Sequence, residues 1–453
     1  MASRADNFAS NLSFANFSKA TELRQRIWFT VGALIVFRFL SFVPLPGINP
    51  RALQSLTDQP LGVLDLFNTF TGGSLERMSI IALGLMPYIT ASIVVQMAAA
   101  LHPSLMALKK EGATGRQKLN QYTRYGTVFL CALQGWFLAA GLESFAASNG
   151  LQAVVNPGYM FRVGAVISLI GGTMFLLWLG EQITSRGIGN GISLIIMAGI
   201  VAQFPSFATN LFEGGRTGDI GGATIATFLA MIVILILFIC FMERAQRRLL
   251  IQYPKRATQR GMMQADRSHL PLKLNTAGVI PPIFASSLLL LPLTITQFAG
   301  NTIDQGSTFG ETIQTVIQYL GQGQPLYLAL YALGIIFFTF FYTAVVFNPE
   351  ETADNLKKNG GFIPGIRPGK RTAEYLDYVL TRITVVGAIY LTLVCVVPEY
   401  MIGQMGIPIF LGGTSLLIVV NVTVDTISQI QSHLLAHQYG DLIKKAKLKG
   451  RLR

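Results

Sequence analysis

The chain has 453 residues, of which 13% are charged and 51% are hydrophobic, and its formal net charge is +13. Soluble domains carry roughly 25% charged residues. This composition excludes a disordered chain, a disulfide scaffold and an ordinary soluble enzyme, and it indicates a membrane protein.

Ten segments are candidate membrane spans, because about 20 mostly apolar residues are needed to cross the hydrocarbon core. They are residues 27–43, 78–100, 125–142, 163–179, 192–211, 223–241, 277–298, 326–347, 383–397 and 409–428. Gly, Pro, Ser and Thr interrupt several of them, which is tolerated where a helix packs on other helices or lines a cavity. The polar first 23 residues contain no small-residue cleavage site, so we predict a retained first span rather than a signal peptide.

The basic residues indicate how the spans are oriented. With the N-terminus in the cytoplasm, 30 Lys and Arg fall in inner segments, whereas Arg51, Arg77, Arg162 and Arg216 fall outside. The positive-inside rule therefore places both termini in the cytoplasm. Ten spans divide into five and five, and an odd number in each half inverts the second half. We predict an all-α membrane protein with ten transmembrane helices in two inverted halves.

The sequence offers little that could support catalysis or ion coupling. Arg38 and Asp425 are the clear ionisable residues within spans, near opposite ends of different spans. Local pairing or snorkelling explains them better than a proton relay does. Protease and hydrolase motifs are absent, and His433 and His437 have no carboxylate or cysteine nearby to complete a metal site. We therefore predict no catalytic residue, no metal and no cofactor.

Two inner loops are longer than a turn between helices requires. Residues 243–276 carry eight Lys and Arg, and residues 348–382 carry six. Attraction to anionic lipid is one interpretation of this charge. The length of the loops and the Gly- and Pro-rich turn at 360–369 favour a docking surface for a large cytosolic partner.

The outer segment between the first two predicted spans is amphipathic. It carries large apolar residues at three-residue spacing, followed by two glycines: Leu61, Leu64, Phe67, Phe70, Gly72 and Gly73. The spacing places the large residues on one side of a helix that is too short to span, and the glycines form a hinge. A re-entrant segment buried in protein and an interfacial amphipathic helix both remain open at this point.

Two long motifs carry a resemblance to a known family. Residues 81–96 read IALGLMPYITASIVVQ and residues 179–193 read LGEQITSRGIGNGIS. Both resemble signatures of the SecY/Sec61α family of protein-conducting channels. Shorter matches lie at residues 110–112, 121–126, 347–358 and 412–418. The resemblance runs from about residue 23 to residue 449, which is nearly the whole chain.

The resemblance implies a central hourglass pore between the two halves, an outer plug at about 61–73, and a seam that opens towards lipid. The implied parts are a cytoplasmic N-terminal segment at 1–23, a first half at 24–212, a second half at 213–433 and a basic cytoplasmic tail at 434–453. The implied function is to translocate unfolded secretory polypeptides across the bacterial cytoplasmic membrane and to release transmembrane segments into it. The alternative is a secondary transporter with inverted repeats, which needs polar groups at the midplane.

The resemblance also implies roles for particular residues. The apolar pore ring maps to Leu85, Ile89, Ile192, Ile196, Ile283 and Ile418, and the leucine at 85 preserves the volume of the isoleucine often found there. The lateral gate maps to Ser92, Gln96, Asn275 and Thr276. Contacts for docked partners map to Arg260 and Arg367, although some relatives have two basic residues where this chain has Arg260 and Gly261.

The implied partners follow from the same resemblance. They are the small membrane subunits SecE and SecG, the motor ATPase SecA, the ribosome, signal peptides and nascent chains, and membrane lipids. SecDF and YidC are further expected partners.

Overall fold

A computed structural model describes residues 21–49, 68–144, 152–218, 221–253, 257–258, 261–262, 267–289, 324–405 and 412–450, and this part of the chain is mostly α-helical. The helices are α1 (Thr21–Leu40), α2 (Met86–Leu101), α3 (Pro103–Lys110), α4 (Ala113–Ser144), α5 (Tyr159–Arg186), α6 (Gly191–Ala202), α7 (Phe204–Thr217), α8 (Gly222–Arg244), α9 (Ile280–Leu289), α10 (Pro325–Val346), α11 (Pro349–Lys358), α12 (Lys370–Met405) and α13 (Gly413–Gly450).

The described helices make the chain a multi-pass membrane protein. Seven helical segments are long and apolar enough to cross a membrane, or eight if α2 and α3, bent by 103°, form one broken span. Helix α1 lies on the predicted first span and carries Arg24, Arg26 and Arg38. Helix α9 covers the start of the predicted seventh span, whose end lies outside the described residues. The helical membrane class is confirmed, and the count of ten spans stays a prediction.

The predicted start of the second span was wrong. Residues 80–85 form consecutive turns, and helix α2 begins only at Met86. Met78 (φ 44°) and Gly84 (φ 54°), which both precede α2, have left-handed backbone conformations that a right-handed helix cannot contain. Pro87 lies in the first turn of α2, where its missing N–H costs no hydrogen bond. Leu85 is therefore the residue just before the helix, not a residue within it.

The predicted fifth span is broken into two helices. Helix α6 ends at Ala202, and α7 begins at Phe204 with a proline in its first turn. Asn190 starts α6, because its side-chain oxygen accepts hydrogen bonds from the backbone N–H groups of Ile192 and Ser193 at 3.1 and 3.5 Å. This cap therefore fixes the residue at which α6 begins.

Glycines allow two elements to approach α5 closely. A Cβ atom added at Gly191 would lie 2.0 Å from the carbonyl oxygen of Gly180, and one added at Gly172 would lie 2.1 Å from that of Ile80. Small residues at helix contacts are typical of membrane bundles, in which packing rather than water exclusion drives association. The start of α6 and the turn before α2 are thus both held against α5.

The two long loops contain regular structure that the all-α prediction did not include. Strand β1 (Gln246–Gln252) pairs antiparallel with β4 (Arg267–Lys273), and between them β2 (Ala257–Thr258) pairs with β3 (Gly261–Met262). The second loop contains α11 and leads into α12. Gln252 and Phe362 exchange two backbone hydrogen bonds of 2.9 and 3.0 Å, which join the loops.

The joined loops have an apolar core of their own. Its buried members come from β1, β4, α11, the turn before α12 and α12 itself: Leu249, Leu272, Ala353, Ile363, Ala373, Leu376, Val379 and Ile383. Because the two loops share one core, they form a single unit, which we call the loop platform (residues 246–274 and 347–383).

Candidate functional site

Five of the six predicted ring residues lie in four helices, and the sixth, Leu85, lies just before α2. Ile89 lies in the first turn of α2, and its N–H donates to the carbonyl of Leu85 at 3.0 Å. Ile192 and Ile196 lie one turn apart in α6, Ile283 lies in α9 and Ile418 in α13. Five of the six are buried, with exposed fractions of 1% to 8%, and Ile192 is half-buried.

These side chains belong to one apolar cluster that joins both halves of the chain. Five of them are members of the largest buried cluster, and Ile192 packs against it. All six side chains are aliphatic, and they come from segments in both halves of the chain. The arrangement suits an apolar constriction, and the ring assignment itself stays a prediction.

The described end of the predicted plug packs against the same region. Leu61, Leu64 and Phe67 lie outside the described residues. We call residues 68–77, which the structure describes, the plug root. The root begins with a helical turn at 68–71, in which Phe70 is buried. Gly72 (φ 70°) and Gly73 (φ 80°) follow in the left-handed conformation that glycine adopts readily.

The plug root touches helix α6 one turn beyond the ring residue Ile196. A Cβ atom added at Gly72 would lie 3.0 Å from the Cα atom of Gly199, so the two backbones are in direct contact. On the other side, a Cβ atom added at Gly84 would lie 2.8 Å from Cγ2 of Thr71. The root therefore lies between the turn before α2 and the far end of α6.

Polar contacts hold the plug root, and the sequence did not predict them. Arg38 at the end of α1 donates from Nη1 to the carbonyl of Gly72 at 2.8 Å. Gln203, between α6 and α7, donates from Nε2 to the carbonyl of Asn68 at 2.9 Å. Arg38 was singled out as an ionisable residue in a span, and its local contact agrees with the pairing expected there. Gln203 gave no signal in the sequence.

The predicted gate residues on α2 bond to each other. Nε2 of Gln96 donates to Oγ of Ser92 at 2.9 Å, one turn away on the same helix. On the other side of the predicted seam, the hydroxyl oxygens of Thr276 and Thr343 are 3.4 Å apart. The structure does not bring Ser92 and Gln96 into a hydrogen bond with the second half within the described residues.

Asn275 is held by a buried carboxylate that the sequence analysis missed. Its Nδ2 donates to Oε1 of Glu243 at 2.7 Å and to the carbonyl of Gly278 at 3.1 Å, and its Oδ1 accepts from the N–H of Gly278 at 3.0 Å. Glu243, at the end of α8, has an exposed fraction of 7%. The sequence analysis placed Glu243 at the start of the inner loop 243–276, and hydropathy gave no sign that its side chain is buried. The amide of Asn275 thus fixes the turn that leads into α9.

The predicted seam is the boundary of α2, α3 and α4 with α9 and α10. Among the residues that the structure describes, two hydrogen bonds cross it. Nζ of Lys109, in α3, donates to the carbonyl of Val345 at 2.9 Å, near the end of α10. Oγ of Ser287, in α9, donates to Sδ of Met86 at 3.7 Å. A cation at the C-terminal end of a helix is favourable, because the last carbonyls there have no partner within the helix.

The loop platform presents a basic cleft around Arg367. Arg367 is exposed on the turn before α12, and the hydroxyl of Thr372 donates to its carbonyl at 2.9 Å. The cleft has a volume of ≈ 710 Å³ and is lined by Gly365, Ile366, Arg367, Lys370, Arg371, Glu374, Tyr375 and Tyr378. Arg260 lies outside the described residues. Within the described part of the chain, no group of three or more His, Cys, Asp or Glu side chains could hold a metal ion.

The bundle therefore defines a multi-pass helical membrane protein whose halves meet at an apolar cluster. The family model of SecY matches residues 79–427. The chain is 51% identical to the protein translocase subunit SecY of Escherichia coli (strain K12) over 430 residues, covering 95% of this chain and 96% of the relative. It is 52% identical to the SecY of Vibrio cholerae serotype O1 over 434 residues, covering 96% of each. The chain belongs to the SecY family.

Solved structures share the fold at low sequence identity. A protein-conducting channel matches with a TM-score of 0.66 and 16% identity over 91% of this chain and 92% of the other. Sec61 in the canine ribosome-channel complex matches with a TM-score of 0.64 and 15% identity, with the same coverage. These matches extend the helical channel fold over nearly all of the chain.

Proposed function

We propose that the chain is the channel-forming subunit of a protein translocase. It passes unfolded secretory polypeptides across the bacterial cytoplasmic membrane and releases transmembrane segments laterally into that membrane. The observation that carries the proposal is the apolar cluster to which both halves of the chain contribute, with the plug root packed against α6 at Gly199. The relatives from E. coli and V. cholerae are named protein translocase subunits. A secondary transporter is not favoured, since the six positions are aliphatic rather than polar.

An apolar neck suits such a channel for two physical reasons. Ions cannot shed their hydration water in a narrow aliphatic passage without polar compensation, and such constrictions close by dewetting. Aliphatic side chains also contact a passing polypeptide without selecting particular side chains. The neck therefore seals the idle channel and still accepts many substrates, and no catalytic step by this chain is required.

The proposed orientation places both termini and the loop platform in the cytoplasm, as the distribution of basic residues favours. Arg260 and Arg367 there contact SecA or the ribosome, while SecE and SecG contact the spans within the membrane. SecDF and YidC join the assembled complex, and anionic lipids contact the basic loops. The matched canine Sec61 and a matched yeast Ssh1 complex are both ribosome-bound.

Site-specific photo-cross-linking tests the channel. A secretory polypeptide with a folded C-terminal domain is arrested in membranes that contain variants with a photoreactive residue at a single position. We expect cross-links from positions 196 and 283, because both lie in the proposed neck. Position 35 is the control, since Ile35 has an exposed fraction of 64% on α1. An arrested polypeptide that cross-links to position 35 but to neither 196 nor 283 contradicts the proposal.

A further inference from the structure

We propose that Thr30 and Gln429 are positioning residues of the neck. They hold the loop at residues 187–190, which joins α5 to α6, so that α6 and α13 stay together while a polypeptide opens the neck from the side of α2 and α9. The inference rests on the proposed channel function. We call this loop with its two partners, Thr30 on α1 and Gln429 on α13, the α6 clasp.

Helix α1 binds the loop through a buried hydroxyl. The N–H of Ile188 donates to Oγ1 of Thr30 at 3.1 Å, and the same hydroxyl donates to the carbonyl of Arg26 at 2.9 Å. A Cβ atom added at Gly187 would lie 2.5 Å from Oγ1 of Thr30, so glycine is needed for the loop backbone to come this close. A residue without an oxygen at position 30 would therefore leave a buried N–H group without an acceptor, which is costly.

Helix α13 binds the next residue of the same loop. The N–H of Gly189 donates to Oε1 of Gln429 at 2.9 Å. Gly189 has a left-handed backbone conformation (φ 85°), and a Cβ atom added there would lie 3.3 Å from Oγ1 of Thr426, also on α13. Two successive N–H groups of one loop are thus bound by helices that belong to opposite halves of the chain.

A small apolar cluster reinforces both hydrogen bonds. The side chain of Ile188 is buried in a cluster with Leu23 and Ile27 of α1 and with Ile430 and Leu434 of α13. Because Ile188 shares this cluster with both helices, moving the loop would expose apolar side chains to water and break the polar contacts at the same time. The clasp therefore holds the loop by two kinds of interaction.

The clasp acts on the proposed ring through the two helices that it joins. Asn190 caps α6, so a loop that is held in place also holds the start of the helix that carries two ring residues. On α13, Ile418 and Gln429 are eleven residues apart, which is close to three helical turns, so they lie on about the same face. Further along the pair, Oγ1 of Thr423 donates to Sδ of Met197 at 3.7 Å. Helices α6 and α13 are thus in contact at two levels.

The other two ring helices, α2 and α9, meet at the predicted seam, where the described bonds are easier to break. The bond from Lys109 to the carbonyl of Val345 is exposed, and the bond from Ser287 ends at a thioether sulfur, which is a weak acceptor. The bond from Ile188 to Thr30 is buried and ends at an oxygen. We therefore expect the neck to open at the seam while the clasp stays closed.

The first experiment removes or restores each acceptor in the purified channel complex. Thr30→Val deletes the hydroxyl and Thr30→Ser keeps it; Gln429→Met deletes the side-chain oxygen and Gln429→Glu keeps one. Thr384→Val is the matched control, because Thr384 is also buried and its hydroxyl donates to the carbonyl four residues back, at Leu380, but lies on α12 and not in the clasp. The readouts are ion conductance in planar bilayers and thermal unfolding in detergent.

We expect the conductance of the idle channel to rise about tenfold in Thr30→Val, since a buried N–H group loses its acceptor. The rise should be smaller in Gln429→Met, because that bond is exposed. Thr30→Ser and Gln429→Glu should conduct as the parent does, and so should Thr384→Val even if it is less stable. A Thr30→Val variant that loses stability but stays as tight as the parent overturns the proposal. If Thr30→Val does not accumulate, Gln429→Met decides with the same readouts.

The second experiment locks one side of the neck at a time. In a variant without the three native cysteines, Met197→Cys with Thr423→Cys is bridged between α6 and α13 by a short bis-maleimide, and Lys109→Cys with Val345→Cys is bridged across the seam. The two pairs are matched, because each bridge joins one half of the chain to the other. Export of a secretory polypeptide should continue with the first bridge and stop with the second.

A monofunctional maleimide on the same variants controls for the bulk of the reagent. Export that stops when α6 and α13 are bridged, but continues after the monofunctional reagent, contradicts the proposal. If the monofunctional reagent itself stops export, the conductance of the Thr30 and Gln429 variants decides.

The doubly substituted neck variant Ile89→Ser with Ile196→Ser separates the clasp from the channel. If that variant leaks while the Thr30 and Gln429 variants are as tight as the parent, the clasp is wrong and the channel stands. If neither the neck variant nor the clasp variants conduct, and no arrested polypeptide cross-links to the neck, the channel proposal itself fails.

Discussion

Replacing two ring residues by serine should open the idle channel to ions. Ile89 and Ile196 have exposed fractions of 8% and 7% and belong to the apolar cluster that joins α2, α6, α9 and α13. The double variant Ile89→Ser with Ile196→Ser shortens two side chains and adds two hydroxyl groups to the neck. Both changes favour water in a passage that is closed by dewetting. We expect raised conductance in planar bilayers and a relaxed demand for a strong signal sequence.

The neighbouring Ile195 provides a matched control on the same helix. It has an exposed fraction of 2% and lies about 100° around α6 from Ile196, so its side chain leaves the helix in a different direction from that of the proposed ring residue. Truncating a well-packed aliphatic side chain costs about 2–5 kcal/mol of unfolding free energy, because a cavity remains. Ile195→Ser should therefore lower the thermal stability of the purified protein without raising its conductance. Ile196→Ser alone should raise the conductance, because we propose that its side chain borders the closed passage.

Two measurements on the same preparations decide the matter. Thermal unfolding in detergent reports packing, and conductance in planar bilayers reports the seal. A folded double variant with the conductance and the signal requirement of the parent would refute the ring assignment. The same holds if Ile195→Ser and Ile196→Ser lose stability equally and neither conducts, since both residues would then be ordinary packing residues.

Two further predictions concern orientation and docking. Because basic residues concentrate on one side, topology reporters should report the cytoplasm at Glu111, Gln264 and Asn355 and the outside at Asn149, Asp304 and Glu399; a cytoplasmic result at Asp304 contradicts ten spans. Arg367→Glu should abolish motor-driven export while insertion and folding stay intact, because it inverts charge in an exposed basic cleft. Lys358→Glu on exposed α11 is the control, and normal export by a well-expressed Arg367→Glu variant contradicts docking at this position.

The helical membrane fold was predictable because it depends on the average composition of long segments of the chain. Long apolar segments and the placement of basic residues indicate helices that cross a membrane whatever their detailed contacts are. The start of α2 was not predictable in this way, since residues 80–85 are as apolar as the helix that follows. The backbone conformations at Met78 and Gly84 prevent the helix from beginning earlier, and hydropathy carries no information about them.

The site was predictable only in part, and for a related reason. The resemblance supplied positions for the ring and the plug, which stay predictions, because most of the proposed ring residues lie within motifs that are contiguous in sequence. Gln203 and Glu243 were missed, since each acts on a backbone or amide group far away along the chain, at Asn68 and Asn275. The pairing of β1 with β4 was missed because the strands lie in a charged loop. No clear alternation of apolar and polar residues marks them there.

The hydrogen bonds at the predicted seam explain how one protein can be both sealed and able to open sideways. Ser92 and Gln96 bond within α2, and Asn275 bonds within the second half, so these polar groups keep their partners when the halves separate. Of the described contacts across the seam, the bond from Lys109 to the carbonyl of Val345 is exposed, and water replaces it at little cost. The other described bond across the seam, from Oγ of Ser287 to Sδ of Met86, is buried, and it is the one polar contact there that opening would leave without its partner. Lipid or an entering transmembrane helix satisfies apolar surfaces as well as the other half does. Opening the seam therefore leaves few buried polar groups unpaired, whereas opening the neck to ions requires hydration of an aliphatic passage.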